Sequence, residues 1–218
     1  MRFIPVKTPF FIRWFYPKYI WKKPTDKKII YLTFDDGPTP EITSWVLDML
    51  NEFNAKATFF CIGANIEANP ELFQRIQKEG HIIGNHTNTH VKGWKNSTKT
   101  YLKEAEITEQ TIEANSITNT KAALNKKERL FRPPYGQITN NQGRQLRKKG
   151  YNIIMWSVLT FDWENTLTKE KCLKNSLKTK SGDIIVFHDS VKASKNLEFA
   201  LPQFLKHYSE KGYEFKTL

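Results

Sequence analysis

The sequence predicts an α/β fold, a distorted (β/α) barrel of about seven mainly parallel strands, and three observations carry that reading. From residue 29 onward, short β-branched and aromatic runs alternate with amphipathic segments of about 10 to 15 residues, the pattern of βαβ units around a parallel sheet. About six or seven such runs in 190 residues suit a closed or nearly closed barrel better than an open sheet. The polar motifs follow the apolar runs, and in such barrels the chemistry sits at the C-terminal ends of strands.

Residues 29–34 (IIYLTF) read as a buried strand. Thr39-Pro40-Glu41 then offers a capping residue and a proline for a first helical turn, and Trp45, Val46, Met49, Leu50 and Phe53 follow at helical spacing. Residues 57–62 (ATFFCI) form a second strand ended by Gly63, and 70–78 a helix closed by Gly80. A short strand at 81–84 precedes a long polar helix at 98–117, and 115–128 is a polar loop insertion. Residues 130–133 are extended ahead of proline. A helix at 140–149, a strand at 152–159 (NIIMWSVL), a helix at 169–178, a strand at 183–188 and a final helix at 197–209 complete the alternation before residues 213–216.

A chain of 218 residues suits one domain, and 39% hydrophobic residues are enough for a core, which excludes a wholly disordered chain. Two cysteines, Cys61 and Cys172, exclude a disulfide framework and a four-sulfur metal site. The formal charge of +12 is uneven. Residues 1–28 hold eight Lys/Arg against one acid, a net +7, whereas the remaining 190 residues carry only +5. A nucleic-acid reader is expected to be basic across its folded body, so no nucleic-acid partner is expected.

The chain therefore divides into a basic aromatic segment, 1–28, and an α/β domain, 29–218. The segment carries eight aromatics and four prolines, and Lys7, Arg13 and Lys18 interrupt every apolar run that could serve as a signal peptide. The expected location is the cytoplasm or the surface of a membrane. One reading makes the segment a strap whose aromatics pack on the domain. The other makes residues 1–24 an interfacial foot on anionic lipid.

Five polar elements follow strands. Thr33-Phe34-Asp35-Asp36-Gly37-Pro38 puts two carboxylates after a buried run, where unpaired burial is costly, although Asp-Gly-Pro is also good turn chemistry. His86-Thr87-Asn88-Thr89-His90 spaces two histidines as on one face of a helical turn, solvent-facing by default but able to share a cation. Asp36 with His86 and His90 makes a two-histidine, one-carboxylate set with positions left open. Arg132, held in Phe131-Arg132-Pro133-Pro134-Tyr135-Gly136, is a surface arginine or a partner that orients Asp35. Phe161-Asp162-Trp163 and His188-Asp189 close two further strands, and His188 is a core histidine or a proton donor.

This ordered set resembles the polysaccharide deacetylases, carbohydrate esterase family four with the NodB homology domain. TFDDG at 33–37, HTNTH at 86–90 and RPPY at 132–135 match its first three motifs, and VFH at 186–188 is similar to its fifth. The fourth departs: Leu159 stands where the family usually has an aspartate, while Asp162 and Trp163 remain. The resemblance implies a distorted (β/α) barrel and metal-dependent hydrolysis of acetyl groups on sugars. It implies that Asp36, His86 and His90 bind Zn²⁺ or a similar divalent ion, the donor set also accepting Co, Ni, Mn or Fe. Asp35 is then the general base, oriented by Arg132, and His188, supported by Asp162, the acid. The backbone N–H of Tyr135 stabilises the oxyanion, and Trp163, like Trp94, stacks on sugar or packs in the core.

Three functions follow: N-deacetylation of an N-acetylglucosamine-containing glycan such as peptidoglycan or a chitin oligosaccharide, O-deacetylation of a sugar ester, or glycan or membrane binding without catalysis. The retained Asp35, Asp36, His86, His90 and His188 favour the first two over the third.

Overall fold

The computed structural model describes residues 5–117 and 129–218; beyond residue 117, the expected insertion 115–128 lies outside the described residues. The described strands are β1 (Ile29–Asp35), β2 (Thr58–Cys61), β3 (Ile82–Asn85), β4 (Arg129–Phe131), β5 (Tyr151–Ile153), β6 (Val158–Leu159), β7 (Ile184–His188) and β8 (Glu214–Lys216). They form one sheet in the order β5-β4-β3-β2-β1-β7-β6, with β8 beside the first half of β1. Every pairing is parallel. The described helices are α1 (Phe10–Phe15), α2 (Ile42–Glu52), α3 (Gly63–Ala68), α4 (Pro70–Lys78), α5 (Thr98–Asn115), α6 (Asn140–Lys148), α7 (Lys169–Ser176) and α8 (Ser194–Glu210).

The sheet curls into a half-barrel in which β1 lies between β2 and β7. β1 is buried from Ile30 to its end, as a parallel strand covered on both faces must be. The Phe34 ring lies 5.1 Å from Phe59 and 6.1 Å from Phe187, joining three neighbouring strands in one apolar layer. The register with β7 sets Asp35 beside His188. Local signals act as expected at several ends: Pro70 opens α4, Gly80 at φ +81° reverses the chain after it, and Thr139 with Gln142 makes a capping box on α6.

Two expectations are corrected. Residues 152–159 are not one strand but two, β5 pairing with β4 on one edge of the sheet and β6 with β7 on the other. The Ile154 N–H donates to the Phe131 carbonyl at 2.8 Å, and the Ser157 N–H to Ile184 at 3.0 Å. Residues 154–157 thus cross the seam of the curled sheet. A continuous apolar run records burial but not which neighbour each half pairs with. The strand ends before Gly63 as expected, but residues 63–68, where no element was expected, form α3. A Cβ at Gly63 would lie 2.5 Å from Asn88 Oδ1, so the helix start and the 86–90 loop meet as only glycine allows.

The leader runs along the seam. Val6 accepts from the Leu159 N–H at 2.9 Å, the Thr8 N–H donates to Ser157 at 3.0 Å, and Ile20 bonds to Ile153 and Met155 at 2.9 and 2.7 Å. Lys7 and Lys22 both reach the buried carboxylate of Asp183, at 3.1 and 3.5 Å. Trp21 is buried, whereas Phe10 and Trp14 on α1 are 82% and 75% exposed. Among the described residues no helix is long and apolar enough to cross a membrane.

Candidate active site

The ends of β1, β3, β4 and β7 and the loop after β6 bring the sequence motifs together. Asp35 ends β1, buried, with the Arg132 side chain beside it. That guanidinium is wholly buried. It donates from Nη1 to Asp35 Oδ1 and to the Thr33 hydroxyl, both at 2.7 Å, and from Nη2 to the Met155 carbonyl at 3.1 Å. Its underside rests on the Phe60 ring, 4.1 Å from the centroid. Burial pulls the Arg132 pKa down, and the ion pair with Asp35 opposes that shift. Arg132 is therefore no surface arginine. It fixes one oxygen of Asp35 and leaves the other available.

Asp36, His86 and His90 lie so that one ligand atom from each falls within 4.8 Å of the others. The expected helical turn through His86 and His90 is absent. The segment is a loop after β3 with Thr87 and His90 at φ +64° and +56°. The Asn85 side chain accepts from the Thr87 N–H at 3.0 Å, and Glu104 accepts from the Thr89 N–H at 2.8 Å. The loop, rather than helical spacing, brings the rings to 5.0 Å.

His86 Nδ1 lies 2.8 Å from the Arg132 carbonyl, which requires N–H at Nδ1 and a lone pair at Nε2. His86 Nε2 and His90 Nε2 face Asp36 Oδ1 at 3.6 and 3.2 Å. Burial, first of all, lowers both histidine pKa values, so both rings favour the neutral form. Asp36 Oδ1 is buried and accepts no hydrogen bond. The His86 lone pair and the His90 ring both face a carboxylate oxygen that accepts no hydrogen bond, the donor arrangement a divalent ion satisfies. The residues fit a divalent ion.

On the opposite side, Asp162 Oδ1 meets His188 Nδ1 at 2.8 Å, and Asp162 Oδ2 accepts the His188 backbone N–H at 2.7 Å. Burial alone would lower the His188 pKa, but Asp162 and the more distant Asp36 and Asp35 outweigh it and raise it to about 9. The Trp163 ring stands edge-on to His188 with centroids 4.5 Å apart. Tyr135, at φ +58°, lays its half-exposed ring 4.5 Å from His90. Trp94 is 58% exposed, which removes the core-packing reading for it. Leu159 is buried, at the level where the leader's Val6 crosses, and an aspartate there would lose its water.

Positive φ also occurs at Asp36 (+84°) and Phe161 (+63°). Each such residue costs roughly 1–3 kcal/mol and persists only where its surroundings hold it. Asp189 is the residue to which the sequence reading gave no role. It accepts from the Gly37 N–H at 3.1 Å and the Thr43 hydroxyl at 2.5 Å, so it holds the turn that presents Asp36. Burial pushes its carboxyl up to about 7 against those two donors. Gly37 was the available signal: a Cβ there would lie 1.9 Å from Asp189 Oδ2.

Residues 22–154 match the protein family described as polysaccharide deacetylase. A Bacillus cereus protein named peptidoglycan-N-acetylglucosamine deacetylase is 36% identical over 204 residues, covering 91% of this chain and 90% of its own length. Chitin deacetylase 2 of Saccharomyces cerevisiae is 33% identical over 180 residues, covering 79% of this chain and 54% of its own. A crystal structure of a peptidoglycan N-acetylglucosamine deacetylase in complex with 4-naphthalen-1-yl-N-oxidanyl-benzamide matches with a TM-score of 0.84 at 33% identity. The match covers 97% of this chain and 95% of that one.

Proposed function

Because the chain belongs to the polysaccharide deacetylase family, we propose that it hydrolyses the N-acetyl amide of an N-acetylglucosamine-containing glycan. The observation that carries the reading is the separation of two kinds of histidine around Asp35. Neutral rings face Asp36 on one side, and a ring ion-paired with Asp162 stands on the other. An amide is a poor electrophile and an amine a poor leaving group, so the reaction needs an electrophilic centre, a base and an acid together.

Asp36, His86 and His90 would hold the divalent ion, Zn²⁺ being the best match to two imidazoles and one carboxylate. When bound, such an ion supplies Lewis-acid polarisation of the acetyl carbonyl and makes a nearby water more acidic. Asp35, oriented through Oδ1 by Arg132, takes the proton from the attacking water as its oxygen bonds to the acetyl carbon. Tyr135 offers its backbone N–H to the oxygen that gains charge. As the C–N bond breaks, His188 gives its Nε2 proton to the departing amine, and Asp162 stabilises the charged ring before that transfer. Acetate and the free amino sugar leave.

The test is acetate release from N-acetylglucosamine oligomers, with and without chelator, for the wild type and Asp35→Asn. Activity should vanish with chelator, return on adding Zn²⁺, and fall by about 10²–10⁴ in the variant, the range of general acid–base catalysis. Equal acetate release by both proteins would remove Asp35 from the mechanism.

A further inference from the structure

The leader carries an exposed aromatic face that neither the fold nor the chemistry above uses. Helix α1 buries none of its residues. Phe10, Phe11, Trp14 and Phe15 are 82%, 50%, 75% and 66% exposed, and Tyr16 at the helix end is exposed as well. Single exposed apolar side chains are ordinary, but this cluster gathers most of the large exposed hydrophobic residues among those described. At about 100° per residue the four rings span roughly 140° of the helix surface. Ile12 lies outside that arc and packs against the core around Phe131. Phe10 meets Phe11 edge-on at 6.0 Å, and Trp14 meets Phe15 at 5.4 Å. The helix is tied at both ends, by Thr8 bonding to Ser157 before it and Ile20 to Ile153 and Met155 after it. The rings are therefore held on a fixed support, and little ordering is left for a partner to supply.

The surrounding chain is basic, with no acidic residue before Asp26. Lys7 and Lys22 are held by Asp183. Arg13, by contrast, donates from Nη2 to the neutral Thr8 carbonyl at 3.2 Å, Lys23 lies over the Tyr31 ring at 4.9 Å, and Lys18 is exposed. None of these contacts neutralises a charge. A second copy of the chain is the weaker occupant. At about 200 Å² per ring, these exposures offer roughly 550 Å², below the ~800 Å² that each partner brings to a stable interface, and two faces of one positive sign repel. Aromatic rings at headgroup depth with Lys and Arg toward lipid charges suit a bilayer surface instead. We propose that α1 docks this protein on an anionic membrane, the four rings entering the headgroup layer and Arg13, Lys18 and Lys23 facing the lipid phosphates. Ile12 and Tyr16 line a cleft that also reaches Tyr135, so a docked molecule holds its active-site mouth beside the lipid. Docking does not depend on the deacetylase reading.

The test is co-sedimentation of the full-length protein with vesicles of equal parts phosphatidylglycerol and phosphatidylcholine, against vesicles of phosphatidylcholine alone. The wild type should bind the mixed vesicles about tenfold more tightly, and the difference should shrink as salt is raised. The double variant Phe10→Ala with Trp14→Ala should weaken that binding by about tenfold. Both rings stand largely in water, so its Tm should stay near that of the wild type. Lipid brominated along its acyl chains should quench tryptophan emission, and Trp14→Phe should keep the binding but lose much of the quenching. A wild type that does not pellet overturns the proposal. So does equal pelleting by the double variant, or with the two kinds of vesicle, or quenching unchanged in Trp14→Phe. If a variant does not fold, the wild type decides: quenching that high salt abolishes supports docking, and no quenching overturns it. Self-association that the double variant abolishes, without vesicle binding, also overturns it, in favour of a second copy.

Discussion

His86 and His188 are both buried imidazoles near the centre of one sheet, yet they are prepared for opposite duties. His86 turns Nδ1 to a neutral backbone carbonyl, so burial prevails and its pKa falls. His188 turns Nδ1 to the Asp162 carboxylate, which overrides a comparable burial and raises its pKa to about 9. The acceptor behind the ring sets the direction, and His90 beside His86 lowers its pKa further while Asp36 and Asp35 add to the rise at His188. A carbonyl behind the ring makes a lone-pair donor, and a carboxylate behind it makes a stored proton.

The largest break in that comparison comes from the neutral side. Asp36→Ala removes the only formal negative charge among the three proposed ligands and should weaken Zn²⁺ binding by at least about 100-fold, read by competition with a fluorescent chelator. Zn²⁺ affinity close to wild type would mean that the three groups do not act as a set. On the charged side, Asp162→Asn leaves burial opposed only by the more distant Asp36 and Asp35, so an NMR titration of His188 in chelated protein should show its pKa falling below about 9. Acetate release at neutral pH should drop by about 100-fold, and its alkaline limb should move toward lower pH. The sign for stability follows. His188 binds its proton more tightly folded than unfolded, so its contribution is full below about 6.5 and is lost as pH rises through about 9.

A third histidine sharpens the contrast with a smaller effect. His81 is buried, accepts the Ala57 N–H at Nδ1, and is pulled down to about 4 by burial and then by Lys56. Its folded pKa is depressed, so the stability it contributes is present above about 6.5 and is lost as pH falls toward about 4. His81 should by itself account for about 2 kcal/mol of stability lost between pH 7 and 5, read as the difference in urea-unfolding free energy against pH between the wild type and His81→Gln.

The polar strand ends were legible because an ionisable residue directly after an apolar run has few structural excuses, and TFDDG, HTNTH and RPPY each supplied one. Less legible was anything that depended on which neighbour a segment meets. The run 152–159 is mostly apolar, but Trp156 lies in the crossing between two edges, and no periodicity records that. HTNTH reads as a helical turn by spacing, while its conformation depends on Asn85 and Glu104 catching the loop amides. Asp189 was visible beside His188, but its partner Gly37 lies 152 residues away.

The leader bonded along the seam changes what a shortened version of this protein would be. Charge composition changes near residue 28, the natural place to cut for a minimal catalytic domain. A chain starting there would lose the hydrogen bonds of Val6, Thr8 and Ile20 to residues 153–159 and both cations facing Asp183. Two strand edges would lie bare and open to a neighbouring chain. The trimmed protein would then sample self-association where the intact one has a closed wall, and a loss of activity in it would report aggregation before it reported anything about catalysis.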